Sequence, residues 1–152
     1  MKKLVKVRLI NWHYLANETI ELDGNTLLTG PNASGKSTIM DAITYVLTAG
    51  DTAFNLAANE KGKRDLKGYV KCKLGMDDRE YLRNGDVSGH IALEFYDEKA
   101  ESSFTVGVVI DAFGDLTPVK TNVIASIIVD LPEALGPVSN VLPFISTVSL
   151  ER

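Results

Sequence analysis

The chain has 152 residues, enough for one domain with a real core, and its 45% apolar and 24% charged residues are those of a globular chain. Its net charge of −4 excludes nucleic-acid binding by bulk charge, so any such site has to be a local patch. The single Cys72 excludes an internal disulfide and a cysteine-rich zinc site, and it suits a reducing, cytoplasmic location.

At the N-terminus Lys and Arg alternate with Val and Leu, without the unbroken apolar core of a leader. The most apolar stretch, Val123 to Val129, interrupted by Ser126, is too short to span a bilayer, so no membrane partner is expected. Leu4 to Ile10 alternates as a half-buried strand. Asn11-Trp12-His13-Tyr14 reads as a connection, and Glu18 to Leu22 as a second strand. Asp23-Gly24-Asn25 is a tight turn. Asn25 to Thr29 is predicted as a short buried strand.

That strand runs into Gly30-Pro31-Asn32-Ala33-Ser34-Gly35-Lys36-Ser37-Thr38, which fits the phosphate-loop pattern G-x-x-x-x-G-K-[ST]. Gly30 and Gly35 permit backbone angles that a side chain would block. Several N–H groups, including those of Asn32, Ala33 and Ser34, can then turn inward as an anion-binding nest. Lys36 can place its ammonium against the β- and γ-phosphates of ATP, and the Ser37 hydroxyl can ligate Mg²⁺. The helix that begins here, through Thr38, adds the positive end of its dipole. Ile39, Ile43, Val46 and Leu47, with Met40, recur on one face of that helix and predict its buried stripe.

Residues 51–64 are polar and loop-like, with a helical turn predicted near Phe54 to Ala58. From Glu60 to Lys73 there are six Lys or Arg against two acids, a local +4. Glu80 to Arg83, Ile91 to Tyr96, Phe104 to Ala112 and Leu116 to Val123 are predicted strands, joined by Asn84-Gly85-Asp86, Asp97-Glu98-Lys99 and Phe113-Gly114-Asp115. They form an antiparallel meander. In 122–152, divided by Pro132, Pro137 and Pro143, a strand is predicted at 124–129 and a helical turn near 132–135.

Two strands, then Gly-Pro-Asn-x-Ser-Gly-Lys-Ser-Thr, then a helix with Met40-Asp41-Ala42-Ile43, resemble the N-terminal half of an SMC-type ATPase head. This is the ABC-like group that includes condensin, cohesin and the SbcC exonuclease. Ile10-Asn11-Trp12-His13-Tyr14, Phe54-Asn55, Ala57-Ala58-Asn59, Leu66-Lys67-Gly68-Tyr69, Tyr81-Leu82-Arg83-Asn84-Gly85 and Ile91 to Asp97 narrow the likeness. They are similar to the MukB-like SMC subunits of bacterial Wadjet-type plasmid-defence systems, the JetC group. The resemblance covers roughly residues 4–112.

It implies an α/β P-loop NTPase fold: an ABC/SMC-type N-terminal head lobe, taken as residues 1–121, with a mixed sheet and an antiparallel β-subdomain. From about residue 122 the resemblance fades and implies nothing; 122–152 is read as a C-terminal segment or the start of a truncated remainder of the head. The resemblance further implies ATP and Mg²⁺ as cofactors. The implied partners are a C-terminal head lobe carrying the signature motif and Walker B strand, a second head, and DNA. The chain has no heptads, no Leu-Ser-Gly-Gly, no apolar strand ending in Asp-Glu and no Gln. It is therefore expected to be one lobe of a larger head, with little or no ATP hydrolysis alone.

The basic stretch has three readings: Lys61, Lys63, Arg64 and Lys67 contact DNA phosphates, Arg64 reaches the ATP phosphates, or the charges solvate a loop. Trp12 or Tyr14 either stacks on adenine, as the position in ABC-type heads implies, or caps the core. Asp41 is expected to be a structural hydrogen-bond acceptor. Two other functions stay open. A self-contained small P-loop kinase would transfer phosphoryl to a small acceptor, and a non-catalytic assembly module would show no stabilisation by nucleotide.

Overall fold

The computed structural model describes residues 1–49, 65–74 and 81–113, together with the backbone of 120–126. The expected features in 51–64, near 132–135, and at Lys61, Lys63 and Arg64 lie outside the described residues.

Among the described residues five strands form one sheet: β1 (Lys2–Trp12), β2 (Leu15–Glu21), β3 (Val87–Asp97), β4 (Ser102–Ala112) and β5 (Lys120–Ser126). Their order is β2-β1-β3-β4-β5, and all four pairings are antiparallel. The parallel component of a mixed sheet is not found among the described residues. Among the described residues two helices, α1 (Lys36–Leu47) and α2 (Leu66–Val70), lie between β2 and β3 in the chain and pack on the sheet.

Period-2 patterning accounts for the buried face. Val7 and Leu9 of β1 stand beside Leu93 and Ile91 of β3, which stand beside Val106 and Val108 of β4. Five of these six side chains are fully buried and Val106 packs partly buried against them. Their neighbours Lys6, Arg8, Ala92, Glu94 and Thr105 occupy the opposite face, because successive strand residues alternate sides. Lys6 bridges Glu21 at 3.5 Å and Glu94 at 3.4 Å there. At one end of the sheet Glu98 pairs with the N-terminal ammonium at 3.3 Å and with Lys3.

The structure corrects three expectations. Asn25 to Thr29 is not a strand: the segment is irregular, and Leu27 is 83% exposed. An apolar pair bounded by turn residues cannot declare whether a neighbouring strand exists to pair with it. Among the described residues the predicted Glu80 to Arg83 strand shows only an isolated bridge, Lys73 to Tyr81, and Tyr81 to Arg83 lie against the end of α2 rather than in the sheet. The buried face of α1 is Thr38, Ala42, Tyr45 and Val46. This is about 100° round from the expected stripe, one residue of helical advance. Ile39 and Ile43 pack partly buried against the core, whereas Met40 (51%) and Leu47 (64%) are exposed. The cause is Tyr45, an amphipathic ring that the apolar count omitted and that stacks toward Trp12.

The helix α2 was not anticipated. Asp65 caps it by accepting from the Gly68 N–H at 2.7 Å. β5 covers the described part of the predicted Leu116 to Val123 strand and runs unbroken into the strand predicted at 124–129, so one strand spans both sides of residue 121; residues 116–119 and 127–129 lie outside the described residues.

Candidate nucleotide site

Three residues in the phosphate loop have positive φ: Gly30 (153°), Ala33 (64°) and Gly35 (93°). These angles let the loop turn sharply, and the Ser34 N–H closes one of its turns by donating to the Pro31 carbonyl at 3.3 Å. Gly35 is also the N-cap of α1, and it offers no side chain to cap the helix. The first-turn N–H groups, which lack intrahelical acceptors, are thus left without a side-chain cap. Helix N-termini of this kind attract anions.

Lys36 is drawn back over this loop. Its Nζ donates to the Gly30 carbonyl at 2.8 Å, to the Pro31 carbonyl at 2.7 Å and to Ser34 Oγ at 3.4 Å. The ammonium therefore stands inside the curve of the loop. Ser37, the residue expected to ligate Mg²⁺, is exposed next to it. Asn32, Ala33 and Ser34 are exposed, Gly35 is buried, and Thr38 is buried at 5% exposure. The structure thus brings the expected loop residues together at the start of α1, with the Thr38 side chain facing the core.

Gly35 is fixed for a second reason. A Cβ there would collide with the Tyr14 hydroxyl, which lies against the loop from the turn between β1 and β2. Trp12, the last residue of β1, is fully buried. It stacks on Tyr69 with centroids 4.4 Å apart, and its Nε1–H donates to the Thr38 carbonyl at 2.8 Å. Of the two readings of Trp12, the core-capping one holds, because a ring with no exposed surface has no face left for a base. Tyr14 is 40% exposed, and its ring meets His13 edge-on. Asp41 accepts from the Tyr69 hydroxyl at 2.5 Å, which makes it the structural acceptor expected.

Lys67 lies on α2 with its Nζ 6.0 Å from the Tyr81 ring centroid. Lys71, counted in the basic stretch, is fully buried, also 6.0 Å from that ring, and offers no surface to a phosphate backbone. Among the described residues no group of three or more His, Cys, Asp or Glu side chains could hold a metal.

Sequence reasoning missed Arg83. Its Nη1 donates to the carbonyls of His13 at 2.5 Å and Val70 at 3.2 Å, and its Nη2 to that of Leu15 at 3.5 Å. It clips the β1–β2 turn to the end of α2, and burial lowers its pKa from the ordinary arginine value. No spacing pattern signals a guanidinium whose partners are main-chain carbonyls from three distant residues.

Residues 4–61 match the family model described as the P-loop containing region of an AAA domain. No curated protein matches the chain. Among the described residues, no helix is long and apolar enough to cross a membrane. Loop geometry and family match agree on a P-loop region suited to binding nucleotide, set in a fold of strands and helices.

Proposed function

We propose that the chain is the N-terminal lobe of an SMC-like ATPase head, that it binds ATP with Mg²⁺ at residues 30–38, and that it acts in the cytoplasm on DNA once a second lobe completes it. The observation that carries the nucleotide part is the loop itself: positive φ at Gly30, Ala33 and Gly35, with Lys36 Nζ inside the curve. The same geometry suits a triphosphate. Main-chain N–H groups of 32–36 would hold the phosphates, Lys36 would exchange its carbonyl partners for phosphate oxygens, and Ser37 would ligate the metal. Bound Mg²⁺ supplies charge neutralisation of the phosphates.

The second lobe is supported by surface apolar groups around the same elements. Leu27 just before the loop, and Met40 and Leu47 on α1, are 83%, 51% and 64% exposed. Leu27 and Met40 flank the loop, whereas Leu47 stands at the far end of α1; exposed apolar side chains of this kind are what a second segment would cover. The DNA role and the narrower Wadjet-type assignment rest on the sequence resemblance. Lys61, Lys63, Arg64 and Lys67 are the proposed phosphate contacts.

The test is thermal unfolding with and without Mg-ATP. Ligand at 100 times Kd stabilises the native state by about 2.7 kcal/mol, which raises Tm by several degrees. Lys36→Met is expected to abolish the rise, and Ser37→Ala to remove its dependence on Mg²⁺. No rise in the wild-type protein, or an undiminished rise in Lys36→Met, refutes the proposal.

A further inference from the structure

The start of α1 is held from one place, the end of β1 and the two-residue turn that follows it. Trp12 reaches it on one side through the Thr38 carbonyl, and Tyr14 on the other through Gly35. The turn is in its turn secured by the His13 N–H donating to the Tyr69 carbonyl at 2.7 Å and by the Arg83 guanidinium. We propose that Trp12 is a positioning residue for the phosphate loop. Its indole N–H fixes the first turn of α1, and with it Lys36 and Ser37, in the geometry that receives phosphate. This deepens the nucleotide-binding reading and rests on it.

Trp12 cannot touch a nucleotide itself, because none of its surface is exposed. A side chain that merely filled the core would serve as well without the N–H. Here the N–H is spent on one particular acceptor, the carbonyl of the residue after Ser37. A carbonyl carries two lone pairs, so Thr38 can accept from Trp12 without giving up its helical bond to residue 42. The indole therefore adds a tie between sheet and helix at the point where the loop becomes helix. The flat stack on Tyr69 (14° between planes) leaves the indole little freedom to swing away, and Asp41 holds Tyr69 from the helix side.

Trp12 is replaced with 3-benzothienylalanine, which keeps the bicyclic shape and puts sulfur where the indole carries N–H. Trp12→Phe is made alongside it. Amide exchange is followed at Ile39 to Ala42 in the nucleotide-free protein, and Mg-ATP affinity is measured by calorimetry. Losing one hydrogen bond to the main chain is expected to speed exchange at Ile39 to Ala42 about fivefold, and to weaken Mg-ATP by a similar factor. Exchange in β3 and β4 should not change in the benzothienyl protein. Unchanged exchange and affinity in that protein overturn the proposal, since packing alone then explains the ring. If wild-type protein binds no Mg-ATP, the nucleotide reading fails, while the exchange rates at Ile39 to Ala42 still decide whether Trp12 fixes the helix.

Discussion

Gly35 carries two separable constraints, its φ of 93° and the Tyr14 hydroxyl occupying the space of a Cβ. Gly35→Ala is expected to destabilise the protein by about 2 kcal/mol, from backbone strain plus overpacking. The double variant Gly35→Ala, Tyr14→Ala removes the collision and leaves the φ strain. It should therefore be less destabilised than the sum of the two single changes, by about 1 kcal/mol in a urea-unfolding cycle. Strict additivity would mean the hydroxyl does not press on residue 35. The glycine was readable from the motif. The tyrosine behind it was not, because a pattern fixes spacing along the chain and says nothing of what approaches from 21 positions away. Asp41 shows the opposite case: its role as an acceptor followed from its place on the helix, although Tyr69 as donor could not be named. Lys71 marks a limit of charge counting, since a lysine in a basic run is usually solvated and this one is fully buried.

At the scale of elements, α2 illustrates how close packing selects a glycine. Gly89 of β3 lies under it, and a methyl group there would sit 2.8 Å from Val70 Cγ2 and 3.1 Å from the Asn11 carbonyl oxygen. Gly89→Ala should push α2 off the sheet and cost about 1–3 kcal/mol, read from urea unfolding. Because α2 carries Tyr69, it should also loosen the stack on Trp12, visible as a change in emission from the chain's only tryptophan. The long strands were legible in outline because alternation over many residues is a strong signal. Their ends were not, since β1 runs on to Trp12 and β2 starts at Leu15, which makes the connection a two-residue turn. The expected strand at 25–29 failed for a related reason. Its residues suit a strand, but pairing is a property of neighbours, and none of the described strands pairs with it.

At the scale of the whole molecule, two groups displaced by folding act on acid stability in different windows. Burial pushes the His90 imidazole below its ordinary 6.5, and Asp111 pulls it partly back. A base depressed in the folded state binds fewer protons than in the unfolded chain, so unfolding takes up protons. Stability should fall as pH drops below about 6.5, until the folded imidazole itself titrates. His90→Gln should flatten that portion of a Tm-against-pH curve. Glu98 is held below the ordinary 4.5, mainly by its hydrogen bond from Lys3, then by the N-terminal ammonium. Its contribution is present above that value and fades as the carboxylate protonates, so Glu98→Gln should make the most acidic limb shallower. Both partners are exposed, and the effect should shrink in added salt.

The order β2-β1-β3-β4-β5 seats β1 between a strand that follows it directly and one that starts 75 residues after it ends. The nucleotide loop and both helices hang from the chain between those two neighbours. A polypeptide severed after α1 would leave β1 and β2 in one piece and β3, β4 and β5 in the other. The eight residue pairs that join β1 to β3, with their shared apolar face, then become an intermolecular seam. Co-expressed halves should reassemble on that seam, and the site could be switched on by bringing two fragments together.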